Sequence, residues 1–286
     1  MDREVYLAYD PRALSAFFDE YAEREWDRLE TTLPGRIKAS IHSHILQKYL
    51  RPGLSALDIG CGPGRFAAVL ASHDIEVTLA DISEGQLNLA QQTLSEAGLA
   101  DCVSAYHRCD VTDLGVFDDE SFDITVCFGS VLSYVREEYP TALRELRRVT
   151  RSGGTILVST TSIYGPFRLV GILDAEGFAS AVPDHLDWDA LVDGEGVVMT
   201  NIGSEEFHQP MAMFSAAGLR SALEEAELEV VEMATSNPTV AMGFALPKTE
   251  KNEVAEAFLT ELEISLCQKP GLVDAGEHII AVARKP

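Results

Sequence analysis

Residues 56–65 read ALDIGCGPGR: an apolar run that ends in an acid, then glycine at every second position, Gly60, Gly62 and Gly64, before an arginine. A short apolar run closed by glycines predicts a buried strand, and the glycines predict a tight turn leading into a helix. Without a Cβ, such a turn leaves backbone N–H groups uncovered and lets a ligand lie close against the main chain. A dinucleotide fingerprint would read G-x-G-x-x-G. Here the spacing is G-x-G-x-G, followed by Arg65, and Pro63 removes one donor. Taken by itself, the stretch also fits a purely structural turn.

Outward from that turn the chain alternates. Apolar runs rich in Val, Ile and Leu recur at 76–80, 103–106, 122–128 and 155–159, separated by helix-like segments such as 66–72 and 84–97. This order predicts an α/β fold, a parallel sheet with helices on both faces. The pattern breaks over 160–214, where several Gly and Pro residues, two candidate short helices and no clean strand make a segment longer than an ordinary connection. Helix and strand resume at 215–226 and 229–234, followed by a helix over 251–266 and a last strand over 278–283. The first 50 residues are helical in pattern: Leu14, Phe17, Phe18 and Tyr21, then His42, Ile45, Leu46 and Tyr49, recur at i, i+3, i+4 and i+7.

A chain of 286 residues is long enough to bury a full α/β core, as one large domain or as one domain carrying an appendage. Its formal charge of −24 repels phosphate backbones, so nucleic acid is not the expected partner. The one basic cluster, Arg144, Arg147, Arg148 and Arg151, reads as a solvated helix face beside acids. Five cysteines form an odd set without C-x-x-C or His-pair spacing, which predicts reduced core thiols and no metal site. With no basic-plus-apolar leader and no apolar run of roughly 18 residues, the expectation is a soluble, cytoplasmic protein without a membrane partner. The oligomeric state is open.

Two acids close the next strands. Asp81 ends the second run (VTLADIS), where a carboxylate can accept both hydroxyls of a ribose, and Asp110 ends the third (CDVTD), within reach of an adenine amino group. The fourth run ends in Phe128, Gly129 and Ser130, a small-residue exit beside the first strand. Each acid alone fits a helix cap or a solvated loop. Together, at consecutive strand ends on one sheet edge, they point to a ligand.

The run 55–159 resembles the class I S-adenosylmethionine-dependent methyltransferases. The resemblance rests on DIGCGPGRF, on Asp81, on Asp110-Val111 and on RSGGTILVST, while GLRSALEEAELEVVEMATSN and GEHIIAVARKP look like that family's sixth and seventh strands. It implies a Rossmann-like, seven-stranded sheet whose last strand is antiparallel. It also implies one domain, made of an N-terminal helical cap (1–50), a cofactor-binding core (51–160), a cap inserted between strands five and six (161–214) and the end of the sheet (215–286). The implied cofactor is S-adenosylmethionine, with S-adenosylhomocysteine as product. Gly60, Gly62 and Gly64 would approach its methionine and ribose, Asp81 its ribose and Asp110 its adenine. Asp58, Cys61, Ile82, Val111, Phe128, Gly129 and Ser130 are grouped with them as cofactor-binding.

A sulfonium methyl is already electrophilic, so the protein must chiefly place an acceptor lone pair in line and keep water out. The acceptor residues are therefore expected in the N-terminal helices and the 160–214 insertion. Tyr21 and Trp26 are candidates for a lid, or for an amphipathic helix packed on the sheet. Tyr164, Phe167, His185, Trp188 and His208 could line an acceptor pocket, with His208 a base or orienting group. If the last strand is antiparallel, His278 begins at the ligand edge and is a second catalytic candidate, with Asn237 near the same edge. The expected function is methyl transfer to nitrogen or oxygen of a small molecule. The alternatives are carbon methylation of a quinone-like ring and a cofactor-binding regulatory protein without turnover.

Overall fold

Strand β1 (Ser55–Ile59) is buried from its second residue to its last, and its side chains alternate between two cores: Leu57 and Ile59 on one face, Ala56 on the other. A strand buried on both faces needs helices on both. The computed structural model describes residues 8–165, 196–200, 210–240 and 253–286. In it β1 is flanked by β2 (Glu76–Asp81) and β4 (Phe122–Cys127), both parallel to it. β3 (Val103–Arg108), β5 (Thr150–Thr161), β8 (Glu229–Thr235) and β9 (His278–Arg284) complete a seven-stranded sheet of order β3-β2-β1-β4-β5-β9-β8. β9 runs antiparallel to both neighbours, as expected, and pairs His278 with Thr161 and Arg284 with Thr155.

Helices α1 (Pro11–Tyr21), α2 (Arg24–Glu30) and α3 (Leu33–Gln47) precede the sheet. Asp10 and Thr32 cap the first and third through hydrogen bonds to the exposed N–H groups of the first turn. Ile37, Ile41 and Ile45 of α3 share one core with α4 (Arg65–Ala71) and α5 (Glu84–Glu96). The opposite core is built by α6 (Val131–Tyr134), α7 (Tyr139–Val149) and α8 (Ala216–Glu225), with Leu143, Leu146 and Leu219 facing Ile156, Val158 and Ile279. Helix α9 (Glu253–Leu266) lies beside α3, where Glu256 accepts from Arg36 at 2.6 Å. No described helix is long and apolar enough to cross a membrane.

One expectation fails. The insertion does hold strands: β6 (Val197–Thr200) and β7 (Met211–Phe214) pair antiparallel, and all four residues of β7 are buried. The Ile163 amide donates to Phe214 O at 3.0 Å, so the pair continues from the end of β5. MAMF carries no polar alternation and runs straight into a helix, so its period does not mark a strand.

Candidate cofactor cleft

The carboxyl ends of β1, β2, β3 and β4 open on one cleft of about 590 Å³, counted to its open mouth. Ligands of parallel sheets bind at this edge, beside the point where strand order reverses. Of the residues singled out from sequence, Gly60, Gly62, Asp81, Ile82, Asp110, Val111 and Gly129 line it.

The glycine turn works differently from the sequence expectation. The Gly60 and Cys61 amides both donate to Ala80 O, at 2.8 and 3.1 Å, the Gly62 amide donates to Asp81 Oδ2 at 2.9 Å, and the Gly64 amide donates to Cys61 O at 3.0 Å. Every amide proton between residues 60 and 64 is therefore already used, and the turn is no anion cradle. What it offers is bare glycine surface. A Cβ on Gly60 would lie 2.2 Å from Val131 Cγ2, so this glycine is required by the approach of α6. A Cβ on Gly64 would lie 3.2 Å from Ala90, so its demand comes from α5 packing on α4 and not from a ligand.

Asp81 and Asp110 are both held by the backbone. Asp81 Oδ1 accepts from the Ser83 amide at 2.9 Å while Oδ2 accepts from Gly62, which leaves one lone pair on each oxygen for a ligand. Burial pushes its pKa up to about 6, opposed by those two amides. Asp110 Oδ1 accepts from the Thr112 amide at 2.9 Å, and Oδ2 accepts from the Tyr9 hydroxyl at 2.6 Å. Asp58 sits behind the turn, buried and outside the cleft lining. Its Oδ2 has no hydrogen-bond partner, and burial, together with the charge of Asp81, raises its pKa to about 7.

Cys61, Gly64, Phe128 and Ser130 also stay out of the lining. Phe128 packs edge-on to His42, with ring centroids 4.9 Å apart, and to Phe66 at 5.0 Å. Ser130 joins three strand ends: its hydroxyl accepts from Thr161 Oγ1 at 3.1 Å and lies 3.3 Å from His278 Nε2. His278 is thus at the ligand edge, as the antiparallel strand requires, but it is buried and does not face the cleft. Asn237 is fully buried and donates to Pro34 O at 3.0 Å and to Glu277 Oε1 at 3.2 Å. Tyr164 is partly buried against Ile163, Met211 and Met213. His208, Trp188, Phe167 and His185 lie outside the described residues.

The N-terminal helices do cover the cleft, through other side chains than those expected. Trp26 turns away and lies under the Arg65 guanidinium, 4.0 Å from ring centroid to Cζ, while Tyr21 stacks on Phe17. Leu14, Phe18 and Glu25 line the cleft instead, together with Tyr9. Leu14 and Phe18 stand four apart on α1, a spacing visible in the sequence, but which face meets the sheet edge depends on where α1 docks.

Gln86 is the informative addition. Its Nε2 donates to Phe18 O and Ala22 O, both at 3.1 Å, and this pair of carbonyl acceptors fixes the amide orientation. Its Oε1 is buried, without a partner, and lies 3.9 Å from where a Cβ on Gly62 would sit. A buried acceptor left open in a cleft wall fits a ligand that carries a donor. The two carboxylates, the bare glycines and this amide match a polar nucleoside with a cationic or hydroxyl-bearing tail, so the residues present fit the nucleoside cofactor that the motifs imply.

Residues 57–158 match a family described as a methyltransferase domain. The malonyl-[acyl-carrier protein] O-methyltransferase of Serratia marcescens is 34% identical over 38% of this chain and 39% of its own length. The ubiquinone biosynthesis O-methyltransferase of Pseudomonas syringae pv. tomato is 28% identical over 60% of this chain and 72% of its own. The chain thus spans only about two fifths to one half of the length of the malonyl-[acyl-carrier protein] relatives it matches. In fold it is similar to the Burkholderia thailandensis 1,6-didemethyltoxoflavin-N1-methyltransferase, solved with S-adenosylhomocysteine bound, at a TM-score of 0.54 and 16% identity over 96% of this chain and 90% of that one.

Proposed function

We propose that the chain, whose residues 57–158 match a methyltransferase-domain family, is an S-adenosylmethionine-dependent methyltransferase that transfers the cofactor's methyl group to nitrogen or oxygen of a small-molecule acceptor. The observation that carries this reading is the cleft: carboxylates at the ends of β2 and β3, glycine surface between them, and an open Gln86 acceptor beside Gly62. When bound, the cofactor supplies an electrophilic sulfonium methyl. Asp81 accepts ribose hydroxyls on its two remaining lone pairs, Asp110 accepts the amino group of the base, and Gln86 Oε1 accepts a donor from the tail. Val131, Tyr134 and Val135 of the segment after β4 give the cleft an apolar wall that excludes water from the reacting centre. The printed names of two curated relatives, both O-methyltransferases, support oxygen as the accepting atom.

Calorimetry of the full chain with S-adenosylhomocysteine and with NAD tests the cofactor. Binding of the former alone is the expected result, and a preference for NAD would overturn the reading. Transfer of labelled methyl to a panel of carboxylic acids, phenols and amines then tests the chemistry. Cofactor binding with no transfer to any of them would favour a regulatory binding protein.

A further inference from the structure

The acid expected to read the base is half-buried and already engaged by another side chain. Residues 8–10 cross the cleft as a strap, pinned at three points. Tyr9 O–H donates to Asp110 Oδ2 at 2.6 Å, the Tyr9 amide donates to Glu137 Oε1 at 2.5 Å, and Arg136 Nη2 donates to Ala8 O. Glu137 and Arg136 follow directly on the α6 segment that walls the cleft, and Arg136 is buried with a left-handed backbone, φ 50°. A non-glycine residue holds that conformation only where its surroundings enforce it. Tyr9 itself lines the cleft. Burial and the Asp110 charge push its pKa upward, so the phenol keeps its proton and acts as a donor.

We propose that Tyr9 is a cofactor-positioning residue, whose hydroxyl fixes the Asp110 carboxylate for the base amino group and whose strap must unlatch for the cofactor to exchange. This rests on the cofactor reading above. The Thr112 amide holds one carboxylate oxygen and Tyr9 the other, so the plane of the carboxylate is set from both sides and its remaining lone pairs point where these two donors leave them. Loss of the hydroxyl frees one side. The strap also spans from the exit of β3 to the segment after β4, the two borders of the base end of the cleft, so a base held by Asp110 is covered by the same residue that orients its acceptor.

The test uses the full chain and two probes, S-adenosylhomocysteine and its S-inosyl analogue, in which a carbonyl replaces the amino group of the base. Tyr9→Phe keeps the ring and its packing and removes only the donor. The variant is expected to release S-adenosylhomocysteine about tenfold faster than the parent, the scale of a lost hydrogen bond to a charged group, and to lose much of the parent's preference for the amino over the carbonyl base. An unchanged release rate overturns the proposal, and so does faster release with unchanged preference, which marks a merely structural role. A parent protein that binds neither probe overturns the cofactor reading itself. Parent binding with an unaltered Tyr9→Phe variant overturns the strap alone.

Discussion

Asp81 Oδ2, at the last residue of β2, accepts the amide proton of Gly62 at 2.9 Å and so ties the second strand to the turn after the first. One carboxylate therefore shapes the glycine turn and, on its free lone pairs, is offered to the ligand.

Asp81→Ala is expected to weaken S-adenosylhomocysteine binding by about one to two orders of magnitude, since hydrogen bonds to a charged group are worth about 1.5–3 kcal/mol. The amides of Gly62 and Ser83 lose their acceptor in the same step. The fold should persist, with its melting temperature lowered. A dissociation constant equal to the parent's in calorimetry would remove Asp81 from the site.

Gly60→Ala sets a methyl against Val131 at a position with φ 67°. Overpacking and the left-handed backbone each cost about 1–3 kcal/mol. Val131→Ala removes the clashing Cγ2, so in the Gly60→Ala background it should restore part of the lost stability even though it is destabilising alone. Denaturant unfolding of the four chains of this cycle checks it, and additive losses would contradict the close approach.

The buried acids give the ligand-free protein a pH dependence of a defined sign. Asp58 and Asp81 have folded-state pKa values raised to about 7 and about 6, chiefly by burial, above the usual carboxylate range near 4. Between those limits the folded chain holds protons that the unfolded chain has released, so stability is greatest at the acid end and is lost as pH rises through the folded values. The melting temperature without ligand should fall between about pH 5.5 and pH 8. Asp58→Asn, neutral throughout, should raise stability at the alkaline end and flatten that slope. A steeper slope in the variant would place the titration elsewhere.

Trp26→Ala should leave S-adenosylhomocysteine affinity within about twofold and act on stability instead, through the half-buried ring's lost packing and its cation–π contact with Arg65. Its ring lies against Arg65, outside the cleft. Phe18→Ala, on the helix that does wall the cleft, should weaken binding more than Trp26→Ala does. The reverse order in calorimetry would restore Trp26 as a lid.

Why Asp81 and Asp110 could be read from sequence while Tyr9, Phe18 and Gln86 could not follows from geometry. A strand end on a parallel sheet fixes where its last side chain lies, because register and edge are set together by the pairing of neighbours such as Asp58 with Leu79. The antiparallel entry of β9 placed His278 opposite Thr161 for the same reason. Helix residues carry no such address: α1 has Phe17, Phe18 and Tyr21 together, and only its docking onto Ile82 and Gln86 decides that Phe18 faces the ligand while Tyr21 stacks on Phe17. Likewise, nothing in GCGPG states that Ala80 and Asp81 accept the turn's amides, since these partners come from another strand. The pair β6 and β7 was hidden because four residues with no alternation have no period to read.

The sheet is not built in the order in which the chain is made. β8 emerges from the ribosome well before β9, yet among the described residues its one neighbour in the sheet is β9, which slots between it and β5. Until the segment around His278 has been synthesised, β8 has only the preceding helix α8 to pack on and no strand edge to join, while β5 presents an open edge of its own. Contacts this distant in sequence form late, and unpaired edges of this kind are where nascent chains associate wrongly. A chain stalled short of His278 would therefore carry a nearly formed nucleoside cleft beside two unmatched strand edges, and would be expected to recruit chaperones despite having every residue of the glycine turn in place.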